Sequence, residues 1–143
     1  MDPGETTGWA LFRHGQLQAW GQWPTPGPAD LADSIYALTA EAGPLSRLVY
    51  EEYRVRGNKF NEHVGSEVVT IQHIGAIKVV ADELGVPLTK QTAGMAKGFA
   101  TDAKLRNWGL YQRGLKHAND AIRHGVYYLL FAYGRRLPNQ ETR

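Results

Sequence analysis

The 143-residue chain contains no cysteine. Disulfides and thiolate metal sites are therefore excluded, and the absence fits a reducing interior. No uninterrupted apolar run approaches the roughly 18 residues of a membrane-spanning helix. The opening Met1-Asp2-Pro3-Gly4 has none of the basic and apolar regions of a signal peptide. Charge of one sign is also scarce: 16 Lys and Arg against 14 Asp and Glu leave a formal charge of +2. That excess is too small to argue nucleic-acid binding by itself, so the distribution of charge must do so. Internal repeats and low-complexity blocks are absent as well. The expectation is a soluble, cytoplasmic protein with no membrane partner.

With 43% hydrophobic and 21% charged residues, the chain has a globular composition and enough length for one real core. One domain is expected over 1–134, followed by a polar tail over 135–143. Pro3 and Gly4 impose a sharp turn after Asp2. Residues 8–13 and 16–23 read as two strands joined at His14-Gly15, and prolines 24, 26 and 28 mark a loop. Leu31, Ile35, Leu38 and Ala42 recur at helical spacing over 29–42. Leu48-Val49-Tyr50 reads as a short strand. A long helix is expected over 61–84, with a stripe through Val64, Val68, Ile71, Ile74, Ile77 and Ala81. Residues 86–91 read as an edge strand, because Pro87 argues against a central place. Thr101 caps a short helix over 102–108, and a last helix spans 122–133. Two hairpin strands followed by alternating helix and strand predict an α/β fold, a mixed sheet flanked by helices.

Three stretches carry chemistry. His117 and Asp120 lie three residues apart where the last helix begins, so both can face one metal ion. Glu51 and Glu52 end an apolar strand, where burying charge is costly without a partner. The ordinary alternative is a strand that simply surfaces there, one acid on each face. Asp2 sits in the opening turn. Magnesium prefers oxygen ligands, and paired magnesium ions serve phosphodiester hydrolysis in many nucleases. Asp2, Glu51 and Asp120 can supply such oxygens, with His117 as a nitrogen ligand or water-orienting base. Taken singly, each has a bland explanation as a turn, strand-end or helix-start residue.

The set resembles a known family. Asp2-Pro3-Gly4 with Thr7-Gly8-Trp9-Ala10 is similar to the opening motif of RuvC-like Holliday-junction resolvases, members of the RNase H-like nucleases. Val49-Tyr50-Glu51-Glu52-Tyr53 resembles that family's apolar strand ending in its second acid. His117-Ala118-Asn119-Asp120-Ala121 resembles its C-terminal motif, in which other members carry Asp at the place of His117. The motifs fall in the family's order across almost the whole chain, most like the compact phage-type branch. The resemblance implies an RNase H-like fold and a homodimeric endonuclease that cuts four-way DNA junctions. It further implies two Mg²⁺ ions, with Mn²⁺ as an alternative, held by Asp2, Glu51, Asp120 and His117. Glu51 is preferred to Glu52 because the family's acid directly follows the apolar run. In a phage setting the expected location is the host cytoplasm. One departure is evident: family members carry an apolar central strand before the turn, and here only Met1 precedes Asp2. The first central strand is thus expected to be missing or truncated.

Junction recognition works through shape and backbone phosphates, hence lysine and arginine. Arg54, Arg56 and Lys59 follow the strand bearing Glu51, and Phe60 among them can wedge against an unstacked base or simply pack under the long helix. Lys97 and Lys104, with Arg106, Arg113 and Lys116, form a second candidate bank, although a solvated charge is the ordinary reading of any one. The long helix over 61–84, apolar on more than one face, is the expected dimer surface. Competing readings are a less selective branched or flap nuclease, a catalytically silent junction-binding protein, and a nuclease for RNA–DNA hybrids. A two-lobed phosphate-binding kinase fold is excluded by length.

Overall fold

The computed structural model of the protein describes residues 1–54 and 64–132. Thr6–Arg13 (β1) and Gln16–Pro24 (β2) form an antiparallel hairpin. His14 and Gly15 at its turn both take positive φ, 52° and 79°, the two-residue geometry that suits a right-twisted hairpin. Pro28–Ala42 (α1) leads to Leu48–Glu52 (β3). Val64–Leu84 (α2) then crosses over to Leu88–Thr92 (β4), which pairs parallel with β3 and sets Gln91 beside Glu51. Ala93–Phe99 (α3), Asp102–Asn107 (α4) and Lys116–Phe131 (α5) complete the described chain.

The two strand pairs are joined by Met1 and Asp2. The Met1 amine donates to the Val49 carbonyl at 2.7 Å, and Glu51 N–H donates to the Met1 carbonyl at 3.0 Å. On the other side, Asp2 and Gly8 exchange backbone hydrogen bonds of 2.9 and 3.0 Å. The spatial order is β2, β1, the pair Met1–Asp2, β3, β4. Met1 and Asp2 thus hold the central place in the sheet, parallel to β3 and antiparallel to β1.

Strand alternation divides the core. Leu48 and Tyr50 turn to one face and pack with Leu31, Ile35, Ile77 and Val80 of α1 and α2. The hairpin side of the other face receives α5, where Ile122 and Val126 pack with Leu105 and Phe12. Gly125 lets Phe12 lie against α5, since a Cβ there would fall 2.2 Å from the ring.

Most elements lie close to their expected places, and three differ instructively. Helix α5 starts one and a half turns before Ile122, at Lys116, because the side chain of Gln22 accepts from the His117 and Ala118 amides and so caps an end that no local residue caps. Helix α3, unforeseen, is capped by Thr92, whose hydroxyl accepts from Met95 N–H. In α2 the buried line is His73, Ile77, Val80 and Ala81, whereas Val68, Ile71 and Val79 are exposed. The broad apolar surface had hidden which stripe faces α1. Of the expected elements, residues 61–63, the end of the last helix at Tyr133 and the tail over 135–143 lie outside the described residues.

Burial of the Met1 amine lowers its pKa from 8.0 to about 6, against the attraction of Asp2 and Glu51. The unfolded state then binds more protons between those values, so stability rises with pH through that window and levels off above it. The difference is worth about 3 kcal/mol. Urea unfolding of the chain with a free Met1 amine should show this rise between pH 6 and pH 8, and acetylating the amine should remove it.

Candidate functional site

Asp2 is held by more than its two bonds to Gly8. The turn behind it is closed by two threonines: the Thr7 and Thr25 hydroxyls lie 2.6 Å apart, and each is within reach of the Gly4 carbonyl, at 3.1 and 2.7 Å. Both threonines are fully buried, so the hydroxyls are committed to the turn. Gly8 has a different purpose. A Cβ at Gly8 would lie 1.8 Å from the His117 carbonyl oxygen, so the start of α5 rests directly on β1 backbone. That approach sets His117 Nδ1 2.8 Å from Asp2 Oδ2.

The motif at the start of α5 splits into roles. Ala118 and Ala121 are buried against the sheet. Asn119 clamps the preceding loop, accepting from Gln112 N–H at 2.8 Å and donating to the Gln112 carbonyl at 2.7 Å. His117 and Asp120 are left to the site. Asp120 is buried, with its Oδ1 2.6 Å from Arg123 Nη1 and its Oδ2 3.2 Å from Lys97 Nζ. Arg123 itself is gripped by the Ala100 carbonyl at 2.7 Å and by Asp102.

Glu51 reaches the same place from β3. Its Oε2 lies 2.9 Å from His124 Nε2 and 3.7 Å from Lys97 Nζ. His124 is fully buried, and its Nδ1 meets the Gln91 side chain at 2.9 Å, so the ring is pinned between β3 and β4. Glu52 points to the opposite face, pairing with Lys90 at 3.0 Å and Arg54 at 3.4 Å. Of the two adjacent acids, Glu51 is the one beside Asp120.

Environment sets the two acids apart. Burial would raise the Glu51 carboxyl, but the His124 hydrogen bond and the Lys97 charge together hold it below its ordinary value. Burial pushes Asp120 up; Lys97 opposes this while the charges of Asp2 and Glu51 add to it. The Arg123 guanidinium on its Oδ1 acts in the same sense as Lys97. Lys97, drawn by Glu51, Asp120 and Asp2, is raised in spite of its own burial.

The candidate metal residues thus stand as two adjacent pairs, Asp2 with His117 and Glu51 with Asp120, the latter bridged by an ammonium group. Among the described residues no three His, Asp or Glu side chains close on one point as a ready metal cage. The donor chemistry nonetheless suits a hard divalent ion: carboxylate oxygens dominate, and a cation already lies between two of them.

Of the expected DNA-contacting residues, Arg54 is exposed and paired with Glu52. Lys104 donates to the Phe99 carbonyl at 2.8 Å and lies over the Phe99 ring. Lys97 reaches into the acid cluster rather than along an outer bank. Arg56, Lys59 and Phe60 lie outside the described residues. Sequence reading passed over Gln22, Gln91, Arg123 and His124. A signal existed for two of them, since Arg123 and His124 follow Asp120 by three and four positions and share its helix face. The glutamines carry no such signal.

No family model matches the chain, and no curated protein matches it by sequence. The architecture is nevertheless an RNase H-like fold, a mixed sheet between helices that the acid-bearing strand and helix share. Its particular likeness is to RuvC of T. thermophilus. The structure of that protein in complex with Holliday junction substrate matches with a TM-score of 0.73 at 17% identity, over 93% of this chain and 92% of that one. A second T. thermophilus RuvC structure matches with a TM-score of 0.64 at 17% identity, over 93% of each chain. The fold is that of a RuvC-like Holliday-junction resolvase.

Arg123→Met should destabilise the protein by about 3 kcal/mol in urea unfolding, because it removes the guanidinium partner of a buried carboxylate. Adding Asp120→Asn to that variant should recover most of the loss, whereas two independent effects would add.

Proposed function

We propose that the protein is a structure-specific endodeoxyribonuclease that resolves four-way DNA junctions by metal-dependent phosphodiester hydrolysis. The observation that carries this reading is the meeting of acids from three distant stretches on a RuvC-like fold. Asp2, Glu51 and Asp120 lie close enough that Asp2 and Glu51 both act on the Asp120 carboxyl, and Lys97 feels all three. The T. thermophilus RuvC structure that matches over 93% of this chain holds a Holliday junction substrate, which favours branched DNA as the substrate here.

Asp2, Glu51 and Asp120 would hold the Mg²⁺ ions, or Mn²⁺ in their place, with His117 beside Asp2. Such ions, when bound, activate water and neutralise charge that builds on the phosphodiester. The chain's own residues prepare the position. His117 orients the Asp2 carboxylate through its 2.8 Å hydrogen bond. Arg123 fixes one oxygen of Asp120 and leaves the other facing Lys97. His124 aims Glu51 inward. Lys97, partly exposed, balances the acids and stands ready to meet an anionic backbone. A second reading, a junction-binding protein that does not cut, is favoured by one observation: the Lys97 ammonium already lies between Glu51 and Asp120.

A synthetic four-way junction with Mg²⁺ decides between them, alongside duplex, flap and RNA–DNA hybrid controls. Paired nicks confined to the junction are expected. Asp2→Asn, Glu51→Gln and Asp120→Asn should each slow cleavage by at least about 10³-fold, since each removes several kcal/mol of charge stabilisation. Junction binding without any cutting by the unaltered chain would favour the silent reading.

Paired cuts need two active sites, and the homodimer would form through α2, whose Val68, Ile71 and Val79 are exposed at 45%, 51% and 58%. Sedimentation at micromolar concentration is expected to show a dimer, and Ile71→Glu with Val79→Glu to give a monomer that binds junctions but loses coordinated double cutting.

A further inference from the structure

Two acids of the cluster are gripped from behind. Asp120 Oδ1 lies 2.6 Å from Arg123 Nη1, and Glu51 Oε2 lies 2.9 Å from His124 Nε2. Arg123 and His124 are buried, and neither can leave without stranding a carboxylate. On the front side Lys97 spans both acids, with its Nζ 3.2 Å from Asp120 Oδ2 and 3.7 Å from Glu51 Oε2. Lys97 is differently held. Its side chain is 42% exposed, and a flexible four-carbon stem separates its charge from the backbone. Gly94 lies one turn earlier on the same face of α3, and Gly98 follows directly. Among the described residues, a Cβ at either glycine would meet nothing within 4 Å, so the stem has room to swing. The backbone beneath is anchored, since Ala96 and Ala100 are fully buried. The cluster has a fixed back and a movable front.

We propose that Lys97 is a placeholder for a divalent cation: its ammonium group sits between Glu51 and Asp120, yields that seat when the ion binds, and passes to a backbone phosphate of the DNA. The inference rests on the metal-dependent reading of the site and adds a coupling to it, in which metal and nucleic acid strengthen each other's binding.

The acids need a cation between them. Burial and the charges of Asp2 and Glu51 push the Asp120 carboxyl up, and Lys97 opposes this. An ammonium group supplies that balance with one charge, whereas a hard divalent ion supplies two to the same oxygens. Both cannot stay, because two cations on one pair of carboxylates repel strongly in a partly buried place. Once displaced, the ammonium needs an anion, and a phosphodiester oxygen is the one that the substrate brings. DNA thereby eases the ejection of Lys97, and linkage makes the effect mutual. A lysine fixed in a structural ion pair would give no such coupling.

The test titrates Mn²⁺ into the full chain and follows the free ion by its paramagnetic resonance, so it needs no cleavage readout. The unaltered chain, Lys97→Met and Lys97→Arg are compared on ice, with and without a synthetic four-way junction, and gel electrophoresis confirms that the junction is uncut. Without DNA, Lys97→Met is expected to bind Mn²⁺ at least about tenfold more tightly than the unaltered chain, whereas Lys97→Arg, which keeps the charge, is not. Lys97→Gln repeats the comparison with a polar side chain, and thermal unfolding checks that each variant folds. The junction should then close most of the gap between Lys97→Met and the unaltered chain. A static charge would leave the same gap with and without DNA. Equal affinities without DNA, or an undiminished gap with it, would overturn the placeholder. Glu51→Gln separates that failure from failure of the underlying reading. Mn²⁺ binding that Glu51→Gln abolishes and Lys97→Met leaves unchanged removes the placeholder alone, and Mn²⁺ binding to none of the chains removes both.

Discussion

The backbone pairing of Met1 and Asp2 is the constraint on which the rest of this structure depends. Two residues carry the hydrogen bonds that join a β-hairpin to a parallel βαβ unit. Without them the described strands are two separate pairs, and a two-stranded pair is marginal on its own. The same two residues deliver the Asp2 carboxylate to the site. Fold and chemistry therefore share one short ladder, and whatever strengthens that ladder strengthens both.

The second level of organisation is the approach of α5 to β1. Gly8 permits contact between helix and strand backbone, Gln22 caps the helix from the adjacent strand, and Asn119 clamps the loop that leads into it. The start of α5 thereby acquires a fixed position, and its first two and a half turns carry His117, Asp120, Arg123 and His124. The result is a buried lattice of opposite charges. Arg123 and His124 each hold one acid from behind, while Lys97 reaches it from the partly open side. Removing one member strands another, because burial makes an unpaired charge expensive. Such interdependence keeps side chains from three distant stretches in register.

Local patterns were legible where they were self-contained. The hairpin turn at His14-Gly15, the capped helix after Thr101 and the periodic apolar positions of α1 all rest on interactions within a few residues, so spacing alone exposed them. Glu51 stood out with Glu52 because carboxylates ending an apolar strand are unusual, and Asp120 because it lies three residues from His117 where a helix begins. The start of α5 was not legible, since its cap comes from Gln22, far away in sequence. Nor was the buried stripe of α2, because apolar residues surround much of that helix and only its packing on α1 selects a side. Lys97 was legible only as one member of a candidate DNA-facing bank. Its place became visible only once α3 set it over Glu51 and Asp120.

By itself the sequence determined the inventory: an α/β succession, an oxygen-rich set of candidate ligands, and no thiol chemistry. Those properties follow from residue type and from periodicity, which act over one or two turns of chain. Tertiary structure alone decided which of two neighbouring glutamates faces the cluster, which cations accompany it, and how two residues can hold a central place in the sheet. Each of these depends on what lies across from a residue in space, and hydrogen-bond register and burial are set by partners that sequence spacing does not reveal.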